Sequence, residues 1–341
     1  MSDDLAANDR LDTATVREGF ERAEREWDAP LAESLLTRYL AQPLSDSERA
    51  WASTHLANTF AVSDRPAAAV AAHETLERWL PGRSLRLSFQ FPYYPPPEDS
   101  ADAAMGADEI RVHVLGQSVE FATAYSAVGR YGDFVAKTDE ALARLAPTRE
   151  NACLRFYAVR IYMCAAQSAG DFDRAERWIT AMHAIADEAG GELAAKYHAL
   201  TLLSGVQLAR ARNDERRAGD ALRHAVSLLD EVDRQGPSDW TRGYRHELAH
   251  HLTQGGAYEL ALPMLDAILS TGDHFGGGYG WLMHAAAVWQ VRRDRPRALA
   301  LLRDAKAHDG RDLVDQFLGT RAFADVTGDP EFLAAISRRS S

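Results

Sequence analysis

The chain reads as an all-α protein made of short antiparallel helix pairs stacked side by side. Three observations predict this. Alanine is abundant and apolar residues recur at three- and four-residue spacing, while strand-like alternation is nearly absent. The helical segments are short and come in pairs. The turns within the pairs look alike, which is the sign of a repeated supersecondary unit.

Seven stretches align in chain order: WDAPLAE (27–33), SDRPAAA (63–69), GRYGDFV (129–135), GDFDRAE (170–176), NDERRAG (213–219), GAYELAL (256–262) and RDRPRAL (293–299). Five place an Asp four residues before an Ala: Asp28 and Ala32, Asp64 and Ala68, Asp171 and Ala175, Asp214 and Ala218, Asp294 and Ala298. Ala261 keeps the position in the sixth stretch, and Phe134 takes it at the turn beginning at Gly129. Gly, Asn or a polar residue ends the first helix where the chain reverses. The Asp caps the second helix by accepting backbone N–H bonds. Pro30, Pro66 and Pro296 fall in the first helical turn, where a missing N–H costs nothing. The small residue one turn on lets the paired helices approach closely.

The aligned second positions (28, 64, 130, 171, 214, 257, 294) are 36, 66, 41, 43, 43 and 37 residues apart. The long step contains GRSLRLSFQFPYYPPPEDSADAAMGADE (82–109), whose proline run cannot continue a helix. Removing this insertion restores the period. The expected organisation is a disordered N-terminus over 1–12, two helix pairs over 13–81 and the Pro-rich insertion over 82–109. Five pairs over 110–310 and a C-terminal cap and tail over 311–341 complete it.

Composition narrows the function. The chain has 341 residues, 46% hydrophobic and 26% charged, which suits a protein with a real core. A net charge of −12 argues against nucleic acid and anionic membranes as general partners. No apolar run reaches spanning length and MSDDLAANDRLD is acidic rather than signal-like, so a cytoplasmic location is expected. Cys153 and Cys164 lie on one predicted helix, roughly 16 Å apart, and are expected to be buried free thiols.

GDFDRAERWITAMHAIADEAG and GRYGDFVAKTDEALARLAP resemble the turn and second helix of tetratricopeptide repeats. The shared residues are Gly170, Phe172 and Ala175 in one unit, and Gly129, Tyr131, Ala141 and Pro147 in the other. The resemblance spans roughly residues 14 to 310, and is degenerate outside these two units. It implies a right-handed α-solenoid of about seven pairs, with FLGTRAFADVTGDPEFLAAI as the closing helices. It further implies that the fifth, ninth and twelfth residues of each first helix line a concave groove.

HELAHH (246–251) competes with that reading. As H-E-x-x-H it is the signature of a zinc peptidase helix, with His246 and His250 as ligands and Glu247 polarising water. Thr253 stands where a metzincin needs Gly, and no downstream acid among Glu259, Asp266 and Asp273 sits in a matching motif. His274 and His284 are substitutes without a pattern behind them. The expectation is therefore no enzyme, no cofactor and no metal. FGGGYGW (275–281) lacks the Lys-Ser/Thr of a phosphate loop and reads as a flexible turn between repeats.

Applied along the later units, the groove positions select Arg160, Cys164 and Gln167, then Leu203, Gln207 and Arg210. His246, His250 and Thr253 follow, then Met283, Ala287 and Gln290. The candidate ligand-binding residues are Arg160, Gln167, Gln207, Arg210, His246, His250 and Gln290, a polar and locally cationic strip. Arg and Gln there would clamp carboxylate or main-chain oxygens of a partner peptide, such as an acidic segment or a C-terminal carboxylate. His246 and His250 would add charge below about pH 6.5, the ordinary imidazole value. The leading expectation is a non-catalytic interaction scaffold. The alternatives are a metallopeptidase-like hydrolase through HELAH, and a toxin-neutralising (immunity) or ligand-sensing regulatory protein.

Overall fold

A computed structural model describes residues 11–26, 28–83, 85–86, 104–105, 107–115, 119–235, 239–271, 278–309 and 313–337. The described chain is helical throughout, apart from one two-residue strand pair. It forms two compact units that divide after Ala181.

The first unit holds α1 (Thr13–Glu26), α2 (Ala29–Leu40), α3 (Asp46–Val62) and α4 (Pro66–Trp79). These are followed by α5 (Ala107–Leu115), α6 (Val119–Ala127), α7 (Tyr131–Arg144) and α8 (Arg149–Ser168). α9 (Phe172–Ala189) runs through the boundary. Each helix packs on its chain neighbour from α1 to α4, and α6 packs on α3, α4, α7 and α8. Phe20, Leu36, Tyr39 and Trp51 centre one apolar cluster, and Phe121, Tyr125, Phe134 and Tyr162 centre another.

The second unit holds α10 (Gly191–Ala211), α11 (Glu215–Gln235), α12 (Asp239–Gln254), α13 (Tyr258–Thr271), α14 (Gly278–Arg292) and α15 (Arg295–Asp309). It ends in α16 (Val314–Gly319), a 3-10 turn over Arg321–Phe323 and α17 (Pro330–Ile336). α10 packs on α11 and α12, α12 on α13 and α14, and α14 on α15. Phe317, Phe323 and Phe332 are fully buried against one another, and α17 lies on α15. Burial of each such ring is worth roughly 1.5–3 kcal/mol. Arg295 fixes this terminal segment with a two-nitrogen fork on Asp329 (2.7 and 2.9 Å) and a further bond to Glu331 at 2.7 Å.

Six of the seven aligned stretches are turns of one construction. A left-handed residue ends the first helix at Asp64, Gly129, Gly170, Asn213, Gly256 and Arg293, with φ between 52° and 77°. The next amide reaches back five residues in five of these turns: Arg65 to Phe60, Arg130 to Tyr125, Asp171 to Ala166, Asp214 to Ala209 and Ala257 to Leu252, all at 2.7–3.0 Å. This satisfies carbonyls that the helix end would otherwise orphan. Asp28, Asp171, Asp214 and Asp294 then cap the second helix through their carboxylates, at 2.9–3.2 Å.

Four expectations change. At the second stretch the register moves by one: Asp64 itself takes the left-handed position, Arg65 begins α4 without a side-chain cap, and Ala69 rather than Ala68 is fully buried. Asp fits either role, because its short side chain tolerates the left-handed region as well as capping. The insertion is shorter at its end, since α5 starts at Ala107. Leu85 pairs with Met105, and Arg86 with Ala104, in an antiparallel ladder. The proline run, and residues 1–10 of the N-terminus expected to be disordered over 1–12, lie outside the described residues. Of FGGGYGW, Gly278–Trp281 is not a flexible turn but the first turn of α14, with both of its glycines and the indole buried, and residues 275–277 lie outside the described residues. Cys153 and Cys164 form no disulfide, but they are only half-buried on α8.

Candidate functional site

The site begins with Arg210, one residue before the end of α10. Its Nη2 donates to the His251 carbonyl at 2.8 Å and its Nη1 to Oε1 of Gln254 at 3.3 Å. The last carbonyls of α12 carry the negative end of the helix dipole, so a guanidinium there is favourable twice over. Gly255 makes room for it: a Cβ at that position would stand 2.3 Å from Nη2. Burial lowers the Arg210 pKa below the usual guanidinium value, and Glu215 opposes that shift.

The same amide continues the chain of contacts. With Oε1 taken by Arg210, Nε2 of Gln254 donates to Nε2 of His250 at 2.8 Å, which places the His250 proton on Nδ1. His250 lies against the Tyr279 ring, with centroids 4.8 Å apart. Burial pushes His250 down to about 4, helped by Arg210, and pushes His246 down to about 4, helped by His250. Both rings are neutral well below pH 6.5, so mild acid does not charge this strip as its unperturbed chemistry would. Glu247 points to His251, 4.0 Å from its Nε2. Asp266, one of the acids downstream of HELAH, is held by His284 at 2.9 Å and Arg292 at 2.6 Å. Among the described residues no three His, Cys, Asp or Glu side chains gather as metal ligands.

A cavity of about 440 Å³ opens beside Arg210, where the C-terminal ends of α10, α12 and α14 meet. Its walls include Arg210, Glu215, Gln254, Tyr258, Gln290 and Arg321. Arg321 is exposed and forms no ion pair among the described residues, whereas Arg210 is committed to α12. Gln290 donates its amide to the Ala322 carbonyl and so holds the 3-10 turn on α14. A neighbouring cavity of about 660 Å³ shares Arg210, Glu215 and Gly255, and adds apolar walls from Leu222, Val226, Leu252 and the half-exposed Leu260. In the first unit, a cavity of about 370 Å³ is lined by charges that mostly neutralise one another, such as Lys137 with Glu77 and Arg144 with Glu140.

Of the seven candidate residues, Arg210 and Gln290 share one cavity. His250 is joined to it through Gln254, while Gln207 and His246 are half-buried and do not wall it. Arg160 and Gln167, both half-buried on α8, belong to the other compact unit. Several positions expected along the groove are core instead: Leu203, Thr253, Met283 and Ala287 are each at most 3% exposed. The reason is coverage, because first helices such as α12 and α14 are packed by neighbours on several sides. Sequence reasoning missed Arg321, Tyr258 and Gln254. A cation just after the closing Phe317 of the cap was the one signal that could have raised Arg321. No protein-family model matches the chain and no curated protein matches it.

Proposed function

We propose that the protein is a non-catalytic interaction module of tetratricopeptide-like helix pairs, which takes an acidic peptide segment or a C-terminal carboxylate at the cavity beside Arg210. The pairs stack as a right-handed solenoid in this reading, and the cytoplasm is its place of work. The observation that carries the proposal is Arg321: an exposed guanidinium without an ion pair among the described residues, on a polar cavity whose other guanidinium is already bound to backbone. A carboxylate on Arg321, with Tyr258 and the Gln254 amide alongside, gains charge-assisted bonds of about 1.5–3 kcal/mol where water is excluded. Glu215 on the same wall discriminates against ligands carrying excess negative charge near Arg210.

The test uses short fluorescent peptides, acidic or basic, each with a free or amidated C-terminus, titrated against the full chain by anisotropy. Acidic or free-carboxylate peptides should bind and Arg321→Ala should weaken them about tenfold, which is about 1.4 kcal/mol. Equal binding of basic and acidic peptides, or an unaffected Arg321→Ala variant, would remove the cavity from consideration.

A further inference from the structure

The α9–α10 hairpin carries a cluster that peptide binding leaves unused. α9 ends at Ala189 and α10 starts at Gly191, with Gly190 and Gly191 both left-handed at φ 65° and 57°. Two successive glycines allow this reversal because no Cβ opposes positive φ. The tight turn sets the two helices side by side. His183 and Asp187, one turn apart on α9, thereby meet His198 on α10.

Nδ1 of His183 lies 3.1 Å from Nδ1 of His198, and the ring centroids are 5.4 Å apart. Nε2 of His198 lies 3.0 Å from Oδ1 of Asp187. The carboxylate accepts the Nε2 proton of His198, so the Nδ1 of that ring is a bare lone pair. His183 then donates its own Nδ1 proton to it. Two imidazole nitrogens held by one ion at about 2.0–2.1 Å stand about 2.9 Å apart at a right angle, and about 3.3 Å apart at the tetrahedral angle. The observed separation falls between these limits. A carboxylate on the far nitrogen is also the usual device that fixes the tautomer of a ligating histidine and raises its basicity.

We propose that His183 and His198 form a two-imidazole site for a divalent transition-metal ion, bound through both Nδ1 atoms, with Asp187 orienting His198 from behind. The ion replaces the inter-ring hydrogen bond. The His183 proton moves from Nδ1 to its own Nε2, so each ring stays neutral and presents one lone pair. His183 is exposed and has room to turn its ring toward the ion. No third His, Cys, Asp or Glu side chain joins the pair among the described residues, so water completes the shell. Imidazole donors suit zinc, nickel or copper, and not calcium or magnesium.

The experiment is a calorimetric titration of the full, chelator-treated chain with Zn(II) and with Ni(II). One ion per chain is expected, with His183→Ala and His198→Ala each losing at least tenfold in affinity. Asp187→Asn should lose about tenfold, as supporting carboxylates do. His246→Gln should bind as the parent does, which separates this pair from HELAH. Circular dichroism of each variant checks that the helices remain, and His183→Gln repeats the test with a ring-free residue of similar bulk. Absence of stoichiometric binding in the parent, or undiminished binding in both His183 variants, overturns the proposal.

Discussion

Two histidine pairs lie in the second unit, one on α12 and one across the α9–α10 hairpin. His246 and His250 sit one turn apart on a single helix within a sequence that advertises zinc chemistry. Yet both are substantially buried, both are pushed down to about 4, and the Nε2 of His250 already accepts a bond from Gln254. His183 and His198 belong to no motif and are fifteen positions apart, but their Nδ1 atoms face each other at 3.1 Å near solvent. Spacing along a helix brings side chains to one face. Burial, competing hydrogen bonds and the direction of the ring nitrogens decide whether that face can bind anything.

The largest expected contrast is in packing. Leu248 lies within HELAHH and is fully buried, so Leu248→Ala should cost about 2–5 kcal/mol in urea unfolding. His198→Ala, on a partly exposed ring, should cost less than about 1 kcal/mol. Similar losses would mean that α12 is no more a core element than the hairpin.

Acid should separate the pairs next. His246 and His250 remain neutral in the folded chain down to about pH 4, whereas unfolded imidazoles take up protons near 6.5. The unfolded state therefore binds more protons in that window, and stability falls as pH drops from about 6.5 to about 4. Each pH unit of separation is worth about 1.4 kcal/mol per ring. Allowing for residual solvent contact, the two rings together should account for on the order of 1–3 kcal/mol. A His246→Gln, His250→Gln double variant should lose correspondingly less stability between pH 6.5 and 4 than the parent. An unchanged slope would place the acid sensitivity elsewhere, as at His55 and His73, which burial also lowers to about 4, or at His284, which burial lowers too.

What the sequence disclosed follows from how local each feature is. The turn at GDFDRAE was legible because Gly170 and Asp171 each have one strong conformational use, the left-handed stop and the helix cap. SDRPAAA was misregistered by one residue because Asp64 can serve as either. The closing segment was expected from the resemblance to tetratricopeptide arrays, and its Phe317, Phe323 and Phe332 are buried against one another. Groove positions transferred by counting failed at Met283 and Ala287, since coverage by neighbouring helices is a tertiary property. The His183–His198 contact depends on where the Gly190–Gly191 reversal sets two helices, and no pattern of residues on either helix announces it.

The smallest predicted effect isolates the clamp on α12. Gln254 is exposed, and its amide bridges Arg210 at 3.3 Å and His250 at 2.8 Å. Gln254→Ala removes both bonds but leaves the 2.8 Å bond from Arg210 to the His251 carbonyl, so the guanidinium stays on the helix end. Because solvent can replace the lost partners, stability should fall by only about 0.5–1.5 kcal/mol. The freed Nε2 of His250 still faces the Tyr279 ring, and its own ring remains buried. Zinc titrated into a Gln254→Ala, His183→Ala variant should therefore find no tight site. If a stoichiometric site appears there, the amide alone keeps HELAHH from binding metal, and the difference between the two pairs reduces to one hydrogen bond.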